Sequence, residues 1–449
     1  MNFQDHRPVN VKPANHLSTS MRRLGCWGTL LAAGTMVQNH AGAVPTILAN
    51  PAPQQPLAAQ WQMDQPNEMD VFLPAGQGAD DTLPQVFRYG PLALRPHLDY
   101  RFMYGTGVQN APGSQQDTAI QEFSPGILMD LGTHWVLNYT PTFRFYSSDK
   151  FQDDVDHNVA LSGGFQYEGW KFGVGHTTQI TSAPTVETGG QTDQSTHSTT
   201  FSAAHAISSA MSVDLGLSQQ INLVSGLQDS YDWSTMDWLN YEFWPRLNAG
   251  IGVGGGYVLV DGNSQTTGAN SGNMNQTYED LQARVNWRAT DKISFQINGG
   301  LEDRQFMTAG TGDSLDPIFG VAIQYQAFEY TQISLNANRS VSSSDYYLAA
   351  QQTETTTLGV NIDQRVLRKF HLGVGIAYSY TDYNTASGAA SANAVNRSDN
   401  TVSFNARLSH PFYKRGTWSL FYEYSDNTSS QAGFGFQSNQ VGFEVSYSY

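Results

Sequence analysis

Residues able to do chemistry are present in this chain but are not gathered. Of eleven histidines, His157, His176, His197 and His205 each stand alone in their stretch of sequence. A metal or acid–base site needs several such groups at fixed spacing, so each reads as a wall residue and not as a ligand. The segment "DKFQDDVD" offers Asp149, Asp153, Asp154 and Asp156, hard oxygen donors that could collect a cation. It lacks the glycine turn and terminal Glu of a calcium loop and reads as a solvated loop. "GVGGG" (252 to 256) has the glycines of a phosphate cradle but lies in a strand-like stretch, where glycine relieves crowding or permits bending. No HExxH, CxxC, GxSxG or P-loop pattern occurs. These residues call for no enzyme activity, no cofactor and no metal.

The elements that would position such groups are strands. In "WVLNYTPTFRF", Trp135, Leu137, Tyr139, Phe143 and Phe145 alternate with Val136, Asn138, Thr140, Thr142 and Arg144. In "LQARVNWR", Leu281, Ala283, Val285 and Trp287 alternate with Gln282, Arg284, Asn286 and Arg288, and the same design recurs from Leu92 to the end of the chain. A period of two marks a sheet with one apolar and one wet face. Short links such as 131–134, 168–169, 244–246, 289–292 and 327–330 alternate with polar stretches at 147–156, 181–196, 261–276 and 381–400, read as long loops. About 18 strands of about 10 to 13 residues, tight turns on one rim and long loops on the other, predict an all-β fold: a transmembrane antiparallel up-and-down β-barrel. A soluble sandwich or propeller alternates too, but with shorter strands and no reason to lengthen every second connection. The composition agrees: 42 Gly, 22 Tyr, 23 Phe and 9 Trp, with only 14% charged residues, favour strands and turns over helices.

The N-terminal region sets the expected compartment. Residues 21–43 carry Arg22 and Arg23, an apolar run to Val37 and the small-residue end Ala41-Gly42-Ala43, the layout of a cleaved signal peptide with translation starting at Met21. The run is too short for a membrane-spanning anchor. Cys26, the single cysteine, falls inside it, so the mature chain would contain no disulfide. The expected organisation is 1–43 for upstream residues plus signal, 44–90 for an irregular periplasmic lead-in, and 91–449 for the barrel. Removing 1–43 leaves 19 Lys and Arg against 38 Asp and Glu, a formal charge of −19. Nucleic acid, which is bound through clusters of Lys and Arg, is an unsuitable partner.

If the apolar positions face lipid, their alternating neighbours face a lumen. Arg144, Asp214, Arg284, Arg288, Glu302, Arg304, Arg407, Glu423 and Glu444, with Gln296, Asn298, Asn336 and Asn338 between them, would line it. Mixed charges among amides suit a hydrated interior, and about 18 strands leave an aqueous channel unless a loop fills it. The expected function is porin-like passive diffusion of small polar solutes through the bacterial outer membrane, the partners being the lipid bilayer, lipopolysaccharide and those solutes. A rim enzyme or adhesin and an export barrel are the competing classes.

Two stretches carry a family resemblance. "FRYGPLALRPHLDYRFMYGTG" (87–107) and "SLFYEYSDNTSSQAGFGFQSNQVGFEVSYSY" (419–449) resemble the opening strand and closing hairpin of the bacterial β-barrel porin 2 family. The resemblance implies an outer-membrane barrel over roughly 90–449 and permits the alternative function, a structural or export barrel serving exopolysaccharide secretion. The alternating end Phe443, Val445, Tyr447 and Tyr449 also resembles the signal by which the outer-membrane assembly machinery recognises its clients.

Overall fold

The computed structural model describes residues 87–187, 189–225, 227–262, 275–307, 312–343, 351–367, 369–385, 397–413 and 415–448. The expected signal and most of the lead-in lie outside them, as does Tyr449. A short strand β1 (Phe87–Tyr89) folds back on the first wall strand. The wall then runs β2 (Leu92–Ala111), β3 (Ser114–Leu131), β4 (Trp135–Tyr146), β5 (Asp154–Tyr167), β6 (Trp170–Thr185) and β7 (Gly190–Ala206). It continues as β8 (Met211–Val224), β9 (Gln228–Trp244), β10 (Leu247–Gly262), β11 (Gln276–Thr290), β12 (Ile293–Phe306) and β13 (Ser314–Phe328). The last third is β14 (Thr331–Ser343), β15 (Gln351–Val366), β16 (Phe370–Thr385), β17 (Arg397–Phe412), β18 (Gly416–Ser429) and β19 (Phe436–Ser448).

Each wall strand pairs antiparallel with the next in sequence, and β19 returns to pair with β2 from Asn439↔Thr106 to Ser448↔His97. The result is a closed 18-stranded up-and-down barrel. Closure leaves no free edge, which is the condition for a sheet to exist in hydrocarbon. The outer side carries the predicted apolar set, with Phe143, Leu281, Trp287, Ile376, Val441 and Phe443 all exposed. Phe443 packs between the rings of Tyr100 and Phe102 across the seam, at 6.0 and 5.7 Å.

Turn chemistry holds the register at one rim. Glu168 and Gly169 both have positive φ, 47° and 82°, the combination of a two-residue type I′ hairpin whose twist matches its strands. At the other rim, several expectations need correction. Residues 181–196 are not a long loop but the ends of β6 and β7, joined by a tip at 186–189. Thr, Ser and Gln there continue the ladder beyond the apolar band, where both faces meet water and polarity no longer distinguishes strand from loop. For the same reason the wall strands run from 12 to 20 residues, and most exceed the expected lengths, while β4, β14 and β19 match them. The stretch 147–156 is also partly strand, because β5 begins at Asp154, and 381–400 is strand at both ends, β16 running to Thr385 and β17 starting at Arg397; 263–274 and 386–396 lie outside the described residues.

Candidate functional site

The inner face is the candidate site, and its contacts reveal its curvature. Arg284 on β11 passes over β10 and bonds Asn240 on β9, Nε to Oδ1 at 2.9 Å, and Asp214 on β8. Arg407 on β17 passes over β18 to Glu444 on β19 at 2.6 Å, and Arg101 on β2 passes over β19 to Glu423 on β18 at 2.8 Å. Side chains that skip a strand must lie on the concave side, so this polar parity is the inner one.

Glycine makes the longest of these reaches possible. Gly250, Gly252, Gly254 and Gly256 on β10 present no side chain inward. A Cβ on Gly250 would stand 2.5 Å from Asn240 Oδ1, and one on Gly252 would stand 2.7 Å from the Trp238 ring. The bare strand is a groove in which Trp238, Asn240 and Tyr278 lie flat. The Arg284 guanidinium then rests 4.3 Å above the Trp238 ring. This is the role of the "GVGGG" run: it removes bulk so that neighbouring strands can fold their polar groups across it.

Each inner arginine of these clusters meets a carboxylate. Arg144, fully buried, bonds Glu122 at 2.8 Å and Asp156 at 2.6 Å, a triad across β3, β4 and β5. Arg304 bonds Glu302 at 2.6 Å and Gln276 at 2.8 Å and lies 4.9 Å from the Tyr278 ring, whose hydroxyl donates to Asp232 at 3.1 Å. Asp232 and Asp280 share the field of this same guanidinium, so acid exceeds base here. Paired charges of this kind keep their positions, whereas a lone buried charge would have to be neutralised.

Between these clusters the wall is built differently. From β12 to β17 the asparagines lie over glycines of the adjoining strand. A Cβ on Gly359 would stand 2.8 Å from Asn336 Oδ1, one on Gly375 would stand 2.5 Å from Asn361 and 2.6 Å from Asn405, and Gly320 is covered by Asn298. Amides lying flat over glycines keep this wall thin and polar, with Asp363 beside Gly373 a carboxylate among them.

The described rim residues fold inward. Phe151, from the 147–153 loop, packs among Met103, Val108, Ile120 and Phe421 and stacks on Tyr146 at 4.9 Å. The tip of the β6–β7 hairpin crosses to the far side of the seam. Arg397 on β17 donates to the carbonyls of Val186 at 2.8 Å and Glu187 at 2.9 Å, between the rings of Tyr383 (4.7 Å) and Phe434 (3.9 Å). Val186 also packs on Phe436, and the β2–β3 turn joins this roof through Gly113 N–H to Gly433 O at 2.6 Å.

The nine charged residues read from the sequence all fall on the inner parity. The fold gathers them into separate clusters and not into one site: Arg144 with Glu122 and Asp156, Asp214 with Arg284, Glu302 with Arg304, and Arg407, Glu444 and Glu423 at the seam, while Arg288 lies apart near the lower rim, opposite Ser294. Sequence reasoning missed Arg101, Glu122, Asp232, Asp280 and Arg397, and read Asp156 as part of a solvated loop. Their parity was available; their partners depend on register. The "DKFQDDVD" aspartates are dispersed, with Asp156 on Arg144 and Asp153 accepting from the Tyr146 N–H at 2.8 Å. Among the described residues no group of three His, Cys, Asp or Glu is placed to hold a metal ion. His157, His176, His197 and His205 stand on the outer parity.

No protein-family model matches the chain, so the porin 2 resemblance is carried by the two quoted stretches alone. No curated protein matches it either. Among solved structures, the chain is similar to Pseudomonas aeruginosa OccK2 (OpdF), at 11% identity over 79% of this chain and 98% of that one, TM-score 0.43. It is similar to Acinetobacter baumannii OccAB3, at 8% identity over 79% and 99%, TM-score 0.43. The siderophore receptor PirA from Pseudomonas aeruginosa follows at 9% identity over 78% and 80%, TM-score 0.40.

Proposed function

We propose that this protein is an outer-membrane channel through which small polar solutes pass by diffusion, with no chemical step. The observation that carries the reading is the polar inner wall. Ion-paired clusters on β3–β5, β8–β12 and β17 to β2 adjoin a stretch where asparagine lies flat over glycine, so solutes would meet fixed dipoles and paired charges beside a thin, amide-lined surface. Such a lumen filters by size and by field. The excess of carboxylates around Arg304 favours cations over anions. The same reading gives the chain the lipid bilayer and lipopolysaccharide as surroundings. It also makes the outer-membrane assembly machinery the folding partner, through the terminal strand bearing Phe443, Val445 and Tyr447.

The test is liposome swelling with neutral sugars of increasing size, beside amino acids of either charge. Entry of small sugars with a sharp size limit supports the channel. A correctly inserted barrel that admits none of them refutes it. One observation favours the second reading, a structural or export barrel: the hairpin tip that crosses the mouth and is clasped by Arg397. That reading is supported if the barrel stays closed to sugars but binds exopolysaccharide.

A further inference from the structure

The outer face of this barrel is interrupted by polar groups in one sector, deep in the band that should meet lipid. Height can be counted along each strand from its periplasmic end. His176 stands six residues above Trp170 on β6, Thr199 seven above Ala206 on β7, Gln219 eight above Met211 on β8, and Asp237 seven above Trp244 on β9. All four point outward: register sets His176 beside Thr199, Thr199 beside Gln219, and Asp237 beside Leu215 and Val253, on the parity of Phe172, Phe201 and Leu239. At six or seven residues, other strands carry Pro141 (β4), Leu161 (β5), Val253 (β10), Ile376 (β16), Ala406 (β17) and Val441 (β19). Outside β6–β9, the one outward charged, amide or imidazole group among the described residues six to eight residues up is Arg339 on β14, opposite Phe319, and it is ion-paired with Glu354 of the adjoining strand.

The groups of this sector are organised. His176 Nδ1 meets Thr199 Oγ1 at 2.9 Å, His176 Nε2 meets Thr178 Oγ1 at 3.1 Å, and Thr178 Oγ1 meets His197 Nδ1 at 2.9 Å. On β9, Thr235 Oγ1 donates to Asp237 Oδ1 at 3.3 Å. Apolar rings bound the sector, Trp170 and Phe172 below and Tyr231 and Trp233 above, which stack in pairs at 6.2 Å. Ionisable groups in hydrocarbon are expensive, and in membrane proteins they face protein or water and seldom the lipid.

The sector is also complementary to itself. Imidazoles occupy its β6–β7 side, an amide sits on β8, and a carboxylate occupies its β9 side, all near one height. A twofold axis along the membrane normal, standing beside β7 and β8, preserves every height and exchanges β6 with β9. It therefore brings His176 and His197 of one copy to Asp237 of the other, twice, in an isologous interface. We infer that the β6–β9 outer face is a subunit interface and that this protein is a twofold dimer in the membrane, its occupant a second copy of this chain.

The experiment measures the mass of the full chain, extracted from membranes in mild detergent, by light scattering, and in parallel follows a Gln219→Cys variant through bis-maleimide crosslinking in intact membranes. The wild type is expected as a dimer, and Gln219→Cys as a linked dimer. The triple variant His176→Leu, His197→Leu, Asp237→Leu is expected as a monomer that keeps its heat-modifiable folded band, because apolar side chains on a lipid face do not harm a monomeric barrel. A triple variant that loses that band is judged by the crosslink alone. A monomeric wild type without crosslinking, a monomer that carries lipopolysaccharide on this face, a trimer, or a triple variant that stays dimeric each overturns the inference.

Discussion

Replacing Arg397 by Lys tests the clasp over the barrel mouth. Lysine keeps the charge beside Asp399 but cannot hold two carbonyls and a carboxylate at once from the space between Tyr383 and Phe434. The arginine makes two charged-donor hydrogen bonds to Val186 and Glu187, at 2.8 and 2.9 Å. Each bond to a charged group is worth about 1.5 to 3 kcal/mol, and each ring contact adds about 0.5 to 1 kcal/mol. If lysine recovers one of the two bonds, the hairpin tip loses roughly 3 kcal/mol of tethering, or roughly a hundredfold in its local closing equilibrium. Hydrogen exchange at the amides of residues 183–190 is the assay, since Gly189 N–H is bonded within the tip to Thr185 O at 2.9 Å. Protection should fall by about two orders of magnitude there and stay unchanged in β11 and β12, and conductance should rise or begin to flicker. Protection within about threefold of wild type would refute the clasp and the view that this tip narrows the mouth.

Other consequences concern the wall. Arg144→Met leaves Glu122 and Asp156 facing each other without their shared cation and should cost about 3 to 5 kcal/mol in urea unfolding from vesicles, with part of the loss recovered by adding Glu122→Gln. Phe443→Arg puts a charge on the lipid face and should cost about 2 to 4 kcal/mol if it sits near the bilayer midplane, while Glu444→Gln, which only loosens Arg407, should cost about 1 kcal/mol; equal effects in a heat-modifiability titration would mean the parity of β19 is inverted. Gly252→Leu drives a side chain into the Trp238 ring and should cost about 1 to 3 kcal/mol and reduce conductance as Trp238 and Arg284 are pushed into the lumen, with tryptophan fluorescence reporting the ring's displacement.

The wall was legible because a barrel states its parity in every strand. Residues as far apart as Arg144 and Glu444 could be assigned a face without any neighbour being known. Their partners could not, because Arg284 finds Asp214 across two intervening strands, and only the register of β8 through β11 brings them together. The glycines of β10 were visible, but their use as a groove depends on the rings of Trp238 and Tyr278 beside them. Polar ends of strands such as 181–196 were misread because, above the apolar band, both faces meet water and alternation vanishes. The outward histidines carried a signal that could have been followed: the set Trp170, Phe172, Val174 continues in step into His176 and Thr178. Phe151 and Arg397 fold across the mouth through contacts between distant loops, which no local pattern encodes.

The central claim, a hydrated channel through this barrel, is tested most directly by single-channel recording of the refolded mature chain in a planar bilayer under asymmetric salt. The account predicts steady open steps with a reversal potential on the cation side, from the carboxylate excess around Arg304. A barrel shown to be folded and inserted that gives no steps, or steps that select anions, would contradict it.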